Sequence, residues 1–292
     1  MNSKIPRDIN MKIQTLACSL LTLSVSLVGC GGGGGGGSSS SQPANTLVIN
    51  DENAPAVAAI VVASDFTGGI ESGFDDAAEV SAIPEQKKYF EALEAGRSAN
   101  ATERFNETIA CDASGALNLD ITGTSNDGGD TVKFSGKFGF NNCSDDGDFF
   151  INGVLSTSGN LYGGGERGNV NMGGSVSLRE ASSSKDVSIG GLSLKMDLEY
   201  GEYSYTQSYY VTGSLVEGNT FSVTTSEKVT GILGSAPTDG VLKVSGAEGT
   251  SMTIEFDSGG AGVWVNVDSD GDGVGEGAKY YTYAALDNFA ED

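Results

Sequence analysis

The chain has 292 residues, a formal net charge of −23 and no histidine. A field this negative repels phosphate backbones and excludes nucleic acid as a partner. The missing imidazole excludes Ser-His-Asp and Cys-His nucleophile pairs and histidine metal sites. Apolar side chains make up 38% of the chain and 44 residues are glycine, a composition that can bury a core.

Lys4, Arg7 and Lys12 precede an apolar run over residues 13–28. At about 16 residues, broken by Ser and Thr, the run is short for a membrane helix, which needs about 20. A positive start, a short apolar middle and a small residue before the cut predict a secretory signal over 1–29. At its end, Leu27-Val28-Gly29-Cys30 resembles the lipobox of bacterial lipoproteins. That resemblance implies cleavage before Cys30 and acylation of its thiol. With Gly31 rather than Asp next, it also implies export to the outer membrane, facing the periplasm or the cell surface. Acyl chains contribute about 0.8 kcal/mol per buried CH₂, so two or more hold firmly. Gly31–Gly37 and Ser38–Ser41 bring nothing to bury, so 30–45 is the lipidated cysteine and a flexible tether.

Residues 46–110 are expected to be an extended and helical segment packing on a sheet. Thr46–Ile49 and Ala56–Ala63 are apolar and suit strands or packed extended chain. Pro84 at the start, Gly96 at the end and Tyr89, Phe90 and Leu93 on one face predict a helix over 84–95. One or two short helices are expected before the sheet, between 75 and 107.

Residues 111–292 read as one antiparallel β domain. Val132, Phe134 and Phe138 alternate with polar residues, as do Val170 and Met172, Tyr203, Tyr205 and Tyr209, and Val263, Val265 and Val267. In 186–200 the apolar phase jumps from odd to even at Gly190-Gly191, which predicts a bulge. Turn chemistry at Asp127-Gly128, Asp146-Gly147, Asp239-Gly240 and Gly259-Gly260 separates the runs. Many long strands with short turns predict an up-and-down meander curved into a half-barrel or barrel. A β-sandwich is the alternative.

In an exported chain the two remaining cysteines, Cys111 and Cys143, predict a disulfide. A hairpin centred near residue 127 brings them close but leaves them on opposite faces. A bulge at Asn141-Asn142 would repair that phase.

Asp268, Asp270 and Asp272 alternate, followed by Gly273, Val274 and Glu276. The run resembles calcium loops of EF-hands and of Asp-rich secreted repeats. That resemblance implies Ca²⁺ held by Asp268, Asp270, Asp272, the Val274 carbonyl and Glu276. Lys279 departs from it, standing where an EF-hand has a bidentate Glu, and strands rather than helices flank the loop. A bare acidic hairpin turn is the competing reading. Trp264, out of phase with its neighbours, points to the opposite face, either as a contact residue or as one covered by the helix. Tyr200, Tyr203, Tyr205, Tyr209, Tyr210, Tyr280, Tyr281 and Tyr283 form either a sugar-stacking platform or, by their period of two, mainly core.

These features describe a lipid-anchored, non-enzymatic cell-envelope protein with a structural or binding role. Its partners are the membrane, through the N-terminal lipid, and an envelope protein, glycan or lipid. The alternatives are a carrier of an apolar ligand, lined by Phe134, Phe138, Leu194, Tyr205 and Tyr209, and a hydrolase working with carboxylates alone.

Overall fold

The structure is a computed structural model that describes residues 46–63, 102–126, 131–144, 147–163, 166–182 and 185–289. The signal, the lipobox with Cys30, the Gly/Ser tether and the helix expected over 84–95 lie outside the described residues.

Twelve strands follow one another: Thr102–Ala110 (β1), Ser114–Asn126 (β2), Thr131–Ser144 (β3), Phe149–Tyr162 (β4), Arg167–Glu180 (β5), Asp186–Glu199 (β6), Glu202–Thr212 (β7), Thr220–Ile232 (β8), Asp239–Ser245 (β9), Ser251–Phe256 (β10), Gly262–Asp268 (β11) and Ala278–Thr282 (β12). They form one sheet in sequence order, each strand hydrogen-bonded to the next. β1 and β12 are its two edges, so the described sheet is an open half-barrel. It is neither a two-sheet sandwich nor a barrel closed by a β1–β12 pair. Side chains alternate between buried and exposed along β6 and β7, the pattern of a sheet with one wet face.

Helix α1 (Ala54–Ala63) precedes the sheet and α2 (Tyr283–Phe289) follows it. Inward residues of the strands and the side chains of α1 belong to one apolar cluster. α1 packs against β11 and α2, and Ala54, Val57, Ala58, Ile60 and Val61 are all buried. A helix apolar on every face is a core helix, and burying each Val or Ile contributes about 1.5–3 kcal/mol. Asn53 starts α1, its carbonyl accepting from the Val57 amide at 3.0 Å. Thr282 caps α2 through its hydroxyl oxygen, which accepts from the Ala285 amide at 3.1 Å. The segment before α1 is pinned to the sheet. The Leu47 amide donates to the Thr220 carbonyl at 2.8 Å, and the Ile49 amide donates to Thr250 Oγ1 at 3.0 Å.

Three details correct the sequence expectations. Residues 56–63 are helix rather than strand, because uniform burial removes the helical periodicity that amphipathic helices show. The sheet begins at Thr102, ahead of the 110/111 boundary, because β1 is a largely polar edge strand with little apolar alternation. The last strand, which the sequence suggests over 278–284, ends at Thr282, and the chain then turns into α2.

Both expected bulges are present. The β6–β7 register shifts between Gly190 and Ser193, with Gly191 at φ 62°. Val187 and Ile189 before the bulge, and Leu192 and Leu194 after it, are buried on the same side. In β3 the register shifts between Phe140 and Cys143, and Asn142 takes a φ of 49°. The β2–β3 register differs from a hairpin centred on 127. Leu117 opposes Phe140 and Leu119 opposes Phe138, so the two apolar sets share a face.

Candidate functional site

Cys111, in the turn between β1 and β2, is disulfide-bonded to Cys143 of β3, with a Cα–Cα distance of 5.5 Å. The bulge at Asn141-Asn142 lies just before Cys143 and re-aims the strand there. The bridge closes the open end of the β2–β3 hairpin, next to the edge of the sheet.

The acidic loop connects β11 to β12. Asp268 ends β11 and is buried, while Asp270 and Glu276 are exposed. The three side chains each bring one oxygen within 4.8 Å of the others. Asp268 organises the loop: Oδ1 accepts from the Gly271 amide at 2.9 Å and Oδ2 from the Gly273 amide at 3.0 Å. Gly271 has a φ of 76°, and a Cβ there would come within 2.7 Å of the Glu248 carbonyl oxygen. Glu276 closes the loop, accepting from the Ser269 hydroxyl at 2.6 Å and the Ser269 amide at 2.9 Å. These bonds, the hydroxyl's first, hold the Glu276 carboxyl below its usual range. Asp272 stands apart from the triad, its Oδ1 accepting from the Val274 amide at 2.7 Å. Lys279 is drawn outward to Asp51 at 2.7 Å. The loop thus assembles three of the expected ligands, Asp268, Asp270 and Glu276. Hard carboxylate oxygens are the ligand type that Ca²⁺ takes.

The tyrosines divide. Tyr203, Tyr205 and Tyr209 are buried in the sheet core, whereas Tyr200 is 65% exposed under the Arg167 guanidinium. They form no common platform. Trp264 points outward as its phase predicted, and its ring lies 5.0 Å from that of Tyr280 at a tilt of 54°. Desolvation, with Asp257 nearby, raises the Tyr280 hydroxyl above its ordinary pKa. The five residues expected to line a carrier cavity, Phe134, Phe138, Leu194, Tyr205 and Tyr209, are all buried on the concave side. Asp75-Asp76 and Asp145-Asp146, whose sequence context suggests solvated turns rather than paired catalytic carboxylates, lie outside the described residues.

Two inward polar residues escaped the sequence reading. Gln207 and Thr157 are each 3% exposed. Gln207 Nε2 and Oε1 and Thr157 Oγ1 have no hydrogen-bond partner among the described residues. The signal was present in the phase: Gln207 sits between Tyr205 and Tyr209, and Thr157 between Leu155 and Gly159, at positions that point inward. In comparisons with known proteins, no family model, no curated protein and no solved structure matches the chain.

Proposed function

We propose that the chain is a lipid-anchored, non-enzymatic cell-envelope protein that presents its half-barrel beside the outer membrane in a structural or binding role. The observation that carries this reading is the sequence Leu27-Val28-Gly29-Cys30 after a charged and apolar leader, followed by the glycine and serine tether. The Cys111–Cys143 disulfide supports it, because such bonds persist in oxidising compartments. Intact-protein mass spectrometry after expression in a Gram-negative host tests the reading. It predicts a chain that begins at Cys30 and carries added diacylglyceryl mass. A chain cleaved elsewhere and unacylated would contradict it.

A calcium ion bracing the β11–β12 loop is the second element. The gathering of Asp268, Asp270 and Glu276 within 4.8 Å supports it, since unscreened carboxylates this close repel one another. A bound ion raises the melting midpoint by mass action. Melting in calcium and in chelator therefore separates the ion from the bare acidic turn, for which the midpoint stays unchanged.

A further inference from the structure

We propose that the outer face of β10–β12 docks a partner protein through one of the partner's arginine side chains, seated between the Trp264–Tyr280 ring pair and the Glu255 carboxylate. The proposal deepens the binding role given above and rests on that reading. Trp264 stands directly opposite Tyr280 on one side and directly opposite Glu255 on the other. The two rings are 43% and 38% exposed, and Glu255 is exposed as well. The guest therefore needs no cavity, because it lies where solvent now does.

The ladder sets the spacing. The Asp257 amide donates to the Gly262 carbonyl at 3.1 Å, and the Tyr283 amide to the Ala261 carbonyl at 3.3 Å. Hydrogen-bonded and non-bonded pairs alternate along antiparallel strands. Glu255–Trp264 is thus a bonded pair, with Cα atoms about 5.5 Å apart, and Trp264–Tyr280 a non-bonded one at about 4.5 Å. The ring centroids are 5.0 Å apart. A guanidinium over the Trp264 ring is therefore one strand spacing from Glu255 and beside the Tyr280 ring.

The chemistry of the patch selects a cation that donates hydrogen bonds. Aromatic faces are negative and attract cations, and an ionised carboxylate only accepts. Asp257, two residues beyond Glu255, adds a second carboxylate at the Tyr280 hydroxyl. Neither acid makes an ion pair among the described residues, and Lys243, opposite Thr253, leaves them free. The charge of −23 steers cations to the chain. A planar guanidinium both stacks on a ring and forks onto a carboxylate. A flat sugar chain fits less well, since rings tilted by 54° offer it no common plane. The open face selects a macromolecule. Small-molecule sites are concave, and a free cation here keeps most of its surface in water. A partner protein supplies the remaining contact.

The test uses the full-length chain carrying Cys30→Ser, so its failure is distinct from failure of the anchoring claim. The probe is the peptide acetyl-Ser-Val-Arg-Val-Ser-amide, and Trp264, the one tryptophan of the chain, reports binding by its fluorescence. Calorimetry gives the affinities. The peptide is expected to change the emission saturably, and less so as salt rises. Its citrulline counterpart, which keeps the shape and loses the charge, binds at least tenfold more weakly, as does N-acetylarginine amide. Glu255→Gln weakens the peptide about tenfold while melting with the parent, whereas Glu107→Gln, the same charge change on the far edge strand β1, leaves affinity unchanged. The citrulline comparison needs no variant to fold. The proposal is overturned if the peptide does not bind or the citrulline peptide binds equally. It is overturned too if N-acetylarginine amide binds as tightly, which makes a free cation the ligand, or if Glu107→Gln weakens binding as much as Glu255→Gln, which leaves only general charge attraction. A response to cellohexaose without one to the peptide assigns the rings to a glycan and overturns it as well.

Discussion

The Asn142 amide donates to Oδ1 of Asn152 across the β3–β4 ladder at 2.8 Å. At a bulge one backbone amide loses its ladder partner, and here a neighbouring side chain supplies the missing acceptor. The left-handed backbone at Asn142 is held in this way, and with it the direction of Cys143. Replacing Asn152 with Ala leaves that amide unpaired, and the expected loss is about 1–3 kcal/mol. Urea unfolding measures it; an unchanged midpoint would show that the bulge does not depend on this bond.

The disulfide spans a sequence separation of 32. On the chain-entropy model a loop of that size contributes about 3.5 kcal/mol. Cys111→Ala with Cys143→Ala should lower stability by about 2–4 kcal/mol without changing the β content seen by circular dichroism. Loss of strand signal would mean that the bridge is needed to form the sheet rather than to stabilise it.

Gly190 and Tyr210 are packed in contact across β6 and β7. A Cβ at Gly190 would lie 2.2 Å from Tyr210 Cζ, so Gly190→Ala forces the ring aside. A destabilisation of about 1–3 kcal/mol is expected from overpacking. In a double-mutant cycle with Tyr210→Ala most of that loss should disappear, because the clash is removed. Additive losses would place the cost in the backbone instead.

Glu276 ties acid sensitivity to the β11–β12 loop. Its carboxyl is held below its ordinary value by the Ser269 hydroxyl and amide. The folded state therefore binds the proton less readily than the unfolded chain. The contribution is fully present above the unfolded value of about 4.3 and is lost as pH falls through the lower folded value. Glu276→Gln should flatten the pH dependence of stability in that window and weaken the calcium response. The same slope in wild type and variant would assign the acid sensitivity to other carboxylates.

Much of this architecture is legible in the sequence where one face of a strand is wet and the other dry. The phase jump at Gly190-Gly191 locates a bulge because Val187, Ile189, Leu192 and Leu194 must all face inward. α1 was not legible for the opposite reason. With Val57, Ala58, Ile60 and Val61 all buried, no polar face marks the helical period, and valines and isoleucines favour strands. β1 was hidden by polar residues on both faces, as befits an edge. At the acidic loop the alternation of Asp268, Asp270 and Asp272 pointed to the right segment. It did not reveal that Asp272 would turn to the Val274 amide, since the choice is made by local backbone amides. Gln207 was overlooked because its neighbours made the strand look like an ordinary apolar face.

Anchoring through Cys30 is the claim on which the cellular reading turns, and membrane fractionation of cells fed a labelled palmitate tests it most directly. Wild-type chain is expected to carry label and to remain with the outer membrane after a high-salt wash, whereas Cys30→Ser carries none and is released with the soluble fraction. Label-free wild-type chain, or a Cys30→Ser chain that stays in the membrane as firmly as wild type, would contradict the account.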